Sequence, residues 1–281
     1  MNLFNVIEEI EKIDPEFNDR INPRRAAIKN ITSFGSKVAV AAMPFAFATL
    51  FKKAYGQTPG TDVNSVLNFA LLLEFLEAEF YNKGLAASSL INANDKANYF
   101  TKIARDENNH VAFLQGVLGT AAISKSSYVF DVTGGGAFAD VLTNYDTFLK
   151  VSVAFEDTGV RAYKGQAPFL LKNEVVLGAA LAIHAVEARH ASAVRYLINK
   201  KLNLGLKPWI TSDTKGNDTG IAAVDANYAG EDNIIQGGVT LTSLPAVGTS
   251  NSKKSATASF DEPLERAKVE ALLVGSFIKP A

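Results

Sequence analysis

The sequence predicts an all-α protein built on a four-helix bundle with one long crossover connection. Three observations carry that prediction. Four helical patterns fill the chain from about Asp62 to Lys201, each with an apolar face at the i, i+3, i+4, i+7 spacing of a buried helix. They come as two pairs, with a short link inside each pair and a long connection between the pairs, as a crossover topology requires. Each pattern also carries a carboxylate on the face its apolar neighbours would bury.

The first helix is expected from Val63 to about Leu85, with Leu67, Ala70, Leu71, Ala78 and Tyr81 on one face. The second follows Asn92-Ala-Asn-Asp, which supplies helix-start chemistry, and turns Phe100, Ile103, Ala104, Val111, Leu114 and Leu118 inward. The short turn between them makes them antiparallel neighbours. From Thr120 to about Asp140 the chain holds Tyr128-Val-Phe-Asp and the Gly134-Gly-Gly run, which read as turn and loop. A third helix is expected from about Val141 to Lys164 and a fourth from about Asn173 to Asn199, with Gln166-Ala-Pro168 as the break.

Flanking segments divide the chain into 1–60, the bundle at 61–201, and an extension at 202–281. After Leu206 the composition turns to Thr, Ser, Asn and Gly, and Val239-Thr-Leu-Thr suggests irregular structure with one or two short strands. A final helix is expected where Asp261 serves as cap, Pro263 suits the first turn, and Leu264, Val269, Leu272, Leu273 and Phe277 form a stripe. That helix docks on the bundle or on a partner subunit, which leaves a homo-oligomer open. Near the N-terminus, Arg24-Arg25 precedes an apolar stretch from Val38 to Leu50. The outline fits a twin-arginine-like export signal, or else an N-terminal amphipathic helix packed on the main domain, so the protein is either cytoplasmic or exported to a periplasm.

Composition narrows the chemistry. Apolar residues make up 47% of the 281 and charged residues 20%, with Lys+Arg 28 against Asp+Glu 29, so the chain fills a core and lacks the basic excess of a nucleic-acid partner. The apolar stretch near the N-terminus is shorter than the roughly 20 residues of a membrane span, and no integral span is expected. There is no cysteine, which removes disulfides, thiolate sites and iron-sulfur clusters, so any metal must sit on oxygen and nitrogen.

On the first helix the apolar face is interrupted only at Glu74. The second carries Glu107 and, one turn on, His110. Glu156 lies between Val153, Val160 and Tyr163 on the third helix, and Glu187 with His190 between Ile183, Ala191 and Val194 on the fourth. The pattern is Glu, Glu-x-x-His, Glu, Glu-x-x-His, and Tyr81 and Tyr163 each follow the single glutamate by seven residues. Thirty-three residues separate Glu74 from Glu107 and 31 separate Glu156 from Glu187, so the halves repeat and imply a pseudo-twofold bundle. All three histidines of the chain, His110, His184 and His190, fall on these faces. Four buried carboxylates without cations would cost several kcal/mol each, so either metal is present or some are protonated. Such oxygen and nitrogen donors suit two Fe or Mn ions, with iron preferred. Glu77, Glu79 and Arg189 are expected at the solvated surface.

These residues resemble the ferritin-like superfamily of di-iron and di-manganese carboxylate bundles: Glu74 and Glu156 match its single glutamates, Glu107-Asn-Asn-His110 and Glu187-Ala-Arg-His190 its two Glu-x-x-His motifs. Leu67-Asn-Phe-Ala-Leu-Leu-Leu-Glu-Phe-Leu-Glu-Ala-Glu-Phe-Tyr81 and Phe260-Asp-Glu-Pro-Leu264 are similar to the ferritin-like proteins called desiccation-related or stress-related. The resemblance implies that Glu74, Glu107 and His110 bind one ion and Glu156, Glu187 and His190 the other, with Glu107 and Glu187 bridging. Tyr81 and Tyr163 are then hydrogen-bond partners of the carboxylates. His184 departs from the six-ligand pattern as an extra ligand, a partner to Glu187, or a packed neutral ring. Dioxygen or peroxide would be the partner, in ferroxidase-like or catalase-like chemistry. The other readings are a non-enzymatic scaffold or binding module for stress tolerance and, less favoured, an iron-storage cage.

Overall fold

The computed structural model describes residues 62–211, 226–244 and 252–281, all within the compact unit Lys52–Ala281. The expectations for Arg24-Arg25, for Val38 to Leu50 and for the segment 1–60 lie outside them. Four helices form the bundle: α1 (Val63–Ala86), α2 (Thr101–Leu118), α3 (Tyr145–Gln166) and α4 (Glu174–Leu202). α1 packs chiefly on α2, and α3 on α4. The fold is the all-α bundle with a long crossover that the periodicities predict.

Asx residues start these helices. The side chains of Asp62, Asn144 and Asn173 accept hydrogen bonds from the backbone N–H of Asn64, Asp146 and Val176, satisfying donors that have no partner within the helix. α2 is entered through a helical turn (Ala93–Asp95) capped by Asn92 and a π-helical turn (Lys96–Phe100) that buries the Phe100 ring. α3 starts later than Val141, because Val141 is itself buried in a turn and Asp140 is spent on that turn. Its carboxylate accepts from Asn144 and Thr147, which leaves Asn144 as the cap.

The crossover connection between α2 and α3 is more ordered than turn and loop. Tyr128–Phe130 forms a strand, β1, that pairs antiparallel with the last strand of the chain, Ile278–Pro280, with Val129 opposite Lys279. Asp131 fixes the turn that follows: its carboxylate accepts from the Thr133 hydroxyl and backbone, from Gly135 N–H and from Lys279. Between β1 and that last strand in chain order come β2 (Ile235–Gln236) and β3 (Val239–Thr240), a two-stranded hairpin at the predicted Val239 position; the Ile278–Pro280 strand is β4.

The C-terminal helix also corrects the expectation. Two helices occur, α5 (Lys253–Thr257) and α6 (Arg266–Leu273), and residues 261–265 between them are not helical. Cations of α3 hold that stretch extended: Arg161 Nε donates to the Glu262 carbonyl at 2.8 Å, Lys164 donates to the Asp261 carbonyl, and Leu264 N–H donates to the Arg161 carbonyl at 3.0 Å. Pro263 and Asp261 therefore precede the helix instead of starting it. Phe277 lies beyond α6, where its ring packs edge-on to Phe155 at 5.0 Å. α6 buries Val269 and Leu273 and docks on α3 of its own bundle.

Two buried arginines clamp the extension to the bundle. Arg161, 1% exposed, donates to the carbonyls of Asn227 and Ala229 and pairs with Glu231 at 2.8 Å. Arg195 grips Asp157 with two parallel bonds of 2.7 and 2.5 Å, and Tyr228 donates to the same carboxylate at 2.6 Å. The Leu264 backbone comes so close to α3 that a Cβ on Gly165 would overlap its carbonyl.

Gly165→Ala is expected to lower stability by about 1–3 kcal/mol, the usual cost of overpacking, and to expose residues 226–281 to protease before the bundle itself is cut. Urea denaturation with limited proteolysis checks both. Asp157→Ala, which strands the Arg195 guanidinium in the core, is expected to cost about 3–5 kcal/mol by the same denaturation measurement.

Candidate metal centre

The helical period brings one carboxylate from each rod to the middle of the bundle. Glu74, Glu107, Glu156 and Glu187 are all completely buried, and His110 and His190 are 8% and 7% exposed. His110 Nδ1 lies 3.2 Å from Glu74 Oε2, 2.9 Å from Glu107 Oε2 and 3.3 Å from Glu187 Oε1. His190 Nδ1 lies 2.8 Å from Glu107 Oε1, 3.3 Å from Glu156 Oε2 and 3.5 Å from Glu187 Oε2. Glu107 and Glu187 thus send one oxygen to each histidine, while Glu74 and Glu156 serve one side each.

The tyrosines cross the bundle. Tyr163 of α3 donates to Glu74 Oε1 on α1 at 2.5 Å, and Tyr81 of α1 donates to Glu156 Oε1 on α3. Each single glutamate therefore has one oxygen held by a phenol and the other turned to the centre. Burial and the adjacent carboxylate charges push both tyrosines well above their ordinary range, so they stay protonated donors.

Two residues stand differently from the sequence reading or were missed by it, and a third, His184, takes one of the alternatives left open. Glu77, expected at the surface, is 4% exposed and points toward the cluster. Its carboxylate oxygen and the Glu187 side chain both flank Gly159 of α3, at 3.5 and 3.4 Å from where a Cβ would stand. Burial and the charges of Glu187 and Glu74 push the Glu77 carboxyl far up. Asp106, on the residue before Glu107, places Oδ2 3.5 Å from His190 Nε2 and orients that ring from outside. No sequence signal marked it, since a charged residue beside an inward one on a helix usually faces water. His184 hydrogen-bonds the Val160 carbonyl at 2.9 Å and joins neither cluster, which is the packed-ring alternative; burial lowers its affinity for a proton. Arg189 is exposed as expected, and Glu79 is half-buried in surface ion pairs with Lys83 and Lys125.

Electrostatics make the cluster a cation trap. Burial and the Glu187 charge push Glu74 up to about 8, and burial likewise raises Glu156 well above a carboxylate's range. Burial also acts on Glu187, but the nearby imidazoles of His110 and His190 outweigh it and hold its carboxyl at about 2. Burial pulls His110 down, yet Glu107, Glu187 and Glu74, all within 3.3 Å of it, push it up to about 12; His190 is raised likewise, against burial, by Glu156 and Glu107. Among the described residues, no lysine or arginine pairs with these glutamates, so without a metal the positive charge comes from protons.

The donor set fits metal ions. Glu107 Oε1, Glu156 Oε2, both oxygens of Glu187 and His190 Nδ1 are buried without a hydrogen-bond partner, and all five converge. Two groups, Glu74, Glu107, His110, Glu187 and Glu107, Glu156, Glu187, His190, each have ligand atoms within 4.8 Å of one another. Donors on opposite sides of a first-row ion, at about 2.1 Å each, sit about 4.2 Å apart. Carboxylate oxygen with imidazole nitrogen is the ligand chemistry of iron and manganese.

An antiparallel bundle with two facing Glu-x-x-His half-sites defines the class of carboxylate-bridged, metal-holding helical proteins. Residues 61–200, which take in α1, α2, α3 and all but the end of α4, match the family model described as a ferritin-like domain. No curated protein and no solved structure matches the chain. Among the described residues, no helix is long and apolar enough to cross a membrane.

In the unfolded chain His110 and His190 lose their protons near pH 6.5 and Glu74 near 4.5, whereas folded His110 keeps its proton to about 12 and Glu74 to about 8. Above pH 6.5 the metal-free folded state therefore binds more protons than the unfolded state, and its stability falls as pH rises. Thermal melts of chelator-treated protein followed by circular dichroism are expected to show the midpoint dropping from near neutrality to about pH 9. Metal-loaded protein, whose ligands carry no such protons, is expected to drop less.

Proposed function

We propose that this protein is a di-metal carboxylate protein, holding two Fe or Mn ions, that performs oxidoreductase or metal-handling chemistry with dioxygen or peroxide in stress protection. The observation that carries the reading is the position of Glu107 and Glu187, each of which spans both histidines with its two oxygens. Two carboxylates placed to bridge serve two ions better than one, because each offsets charge on both sides. In this reading Glu74, Glu107 and His110 hold one ion, Glu156, Glu187 and His190 the other, and iron is preferred.

The bound ions would supply the change of oxidation state and the open coordination positions for an oxygen species. The chain's own residues do the rest. Tyr81 and Tyr163 hold Glu156 and Glu74 in orientation and keep one oxygen of each from swinging away. Asp106 accepts from His190 Nε2 and so favours the tautomer with Nδ1 free to ligate. The apolar layers around the centre keep bulk water from the carboxylates, which strengthens every charge interaction there. Glu77, raised well above a carboxylate's range, is a proton store three residues from Glu74.

The residues also support a finer placement among the desiccation-related or stress-related ferritin-like proteins, through Leu67 to Tyr81 and Phe260 to Leu264. We further propose that 61–201 is the functional unit, with 1–60 and 202–281 as flanking segments. The extension steadies α3 through Arg161, and none of its described residues joins the clustered ligand atoms.

Metal analysis of protein made in iron- and manganese-supplemented medium is expected to give close to two ions per chain, and less than about half an ion per chain would remove the reading. The double variant Glu107→Ala, Glu187→Ala is expected to lose both ions with its helical content retained by circular dichroism. Full metal content in that variant would place the ions elsewhere.

A further inference from the structure

The pseudo-twofold axis that exchanges Glu74 with Glu156 and Glu107 with Glu187 exchanges the two ends of the bundle core. The layers next to the metal layer use similar residues on both sides: Leu67, Leu114, Tyr163 and Ile183 at one end, and Leu149, Val194, Tyr81 and Ile103 at the other. The layers beyond them do not. At the Tyr81 end three rings pack together, with Phe80 stacked on Phe148 at 4.8 Å and Phe100 edge-on to Phe148 at 5.1 Å. Their counterparts at the Tyr163 end are Ala162, Val66 and Ala180, and the counterpart of Tyr99 is Ala179.

Replacing rings by methyl-sized groups leaves space. A cavity of about 140 Å³ lies at the Tyr163 end between α2 and α4, lined by Leu67, Leu114, Tyr163, Ala179, Ala180 and Ile183. Phe113, Val117 and Val175 form its outer rim and are 46%, 48% and 84% exposed, so an apolar mouth leads to it from solvent. Phenolic oxygen apart, its lining side chains are hydrocarbon, and the Tyr163 hydroxyl is already committed to Glu74. An apolar cavity of about 150 Å³ stays dry and takes up xenon or benzene.

We propose that this cavity is a binding site for dioxygen and that dioxygen, not peroxide, is the oxygen species delivered to the Glu74 side of the centre. This rests on the di-metal reading above. Dioxygen is apolar and asks nothing of the lining. Hydrogen peroxide has two donors and several acceptor sites, and entering a lining whose single hydroxyl is taken would leave them unpaired at a cost of a few kcal/mol in order of magnitude. At the other end of the core Phe80, Phe100 and Phe148 fill the positions that Ala162, Ala180 and Val66 occupy here.

Xenon-pressurised crystals of the full chain test the chamber, with and without metal. Xenon is expected between Tyr163 and Ala180 and to be lost in Ala180→Phe, while metal per chain stays unchanged. Oxygen consumption by the iron(II)-loaded protein is then expected to show a KM for dioxygen several-fold higher in Ala180→Phe, with little change in kcat at saturating gas. Where that variant fails to fold, Ala179→Leu, at the half-buried wall, narrows the same space. An absence of xenon at that end, ordered water filling it, or an unchanged KM for dioxygen in a variant that has lost xenon overturns the proposal. Xenon uptake needs no metal, so a chain that binds xenon but no iron or manganese overturns the di-metal reading and leaves the apolar chamber standing.

Discussion

Charge balance in a dry core is the constraint on which the structure turns. Four ligand-type carboxylates and Glu77 lie among Leu, Val and Phe side chains, where each ion taken from water costs several kcal/mol. Among the described residues, protein groups supply only part of the compensation: two phenols and two imidazoles, with no lysine or arginine against the cluster. The remaining lone pairs converge on the space between His110 and His190, whose ring centres are 6.5 Å apart. A cation there resolves the balance, and so does a set of protons; the raised carboxyls of Glu74 and Glu156 and the raised imidazoles describe the second state.

Symmetry gives the centre its outline, and its breaking gives the two sides different properties. The crossed tyrosines, each two turns from one glutamate and bonded to the other, follow the pseudo-twofold axis. Asp106 does not, because its counterpart on α4 is Val186, so among the described residues the outer carboxylate is on the His190 side. Glu77 does not either, because its counterpart is Gly159, which the Glu77 carboxylate flanks. The aromatic end and the hollow end differ in the same way. The two sides of the cluster are therefore chemically distinct.

The extension beyond the bundle bears on the centre through α3. Asp157, next to Glu156, is locked by Arg195 of α4 and Tyr228 of the extension, and Arg161 holds residues 227, 229 and 262 by their carbonyls. Pairing of β1 with β4 ties the crossover connection to the chain's last residues. α3 is thus gripped from three directions within two turns of its ligand. That rigidity serves a glutamate that must hold its position against several like charges.

Local periodicity accounts for what was legible. A helix repeats every 3.6 residues whatever surrounds it, so Leu67, Ala70, Leu71, Ala78 and Tyr81 were enough to turn Glu74 inward, and the same argument placed Glu107, His110, Glu156, Glu187 and His190. Asn92-Ala-Asn-Asp marked the entry to the second helix for the same local reason. Apart from the start of α3, which a local turn at Asp140 sets, the failures depended on partners distant in sequence. Glu77 is buried because neighbouring elements cover α1 on nearly every side, which its own pattern does not reveal. Tyr128–Phe130 became a strand through residues 278–280, and residues 261–265 stayed extended because Arg161 and Lys164 hold their carbonyls. By itself, then, the chain's sequence determined which side chains face the core, because a helix face is set by spacing alone. Only the tertiary structure decided how those side chains pair, since which oxygen reaches which imidazole, and where space is left beside Tyr163, depends on the separation of four rods that no single rod encodes.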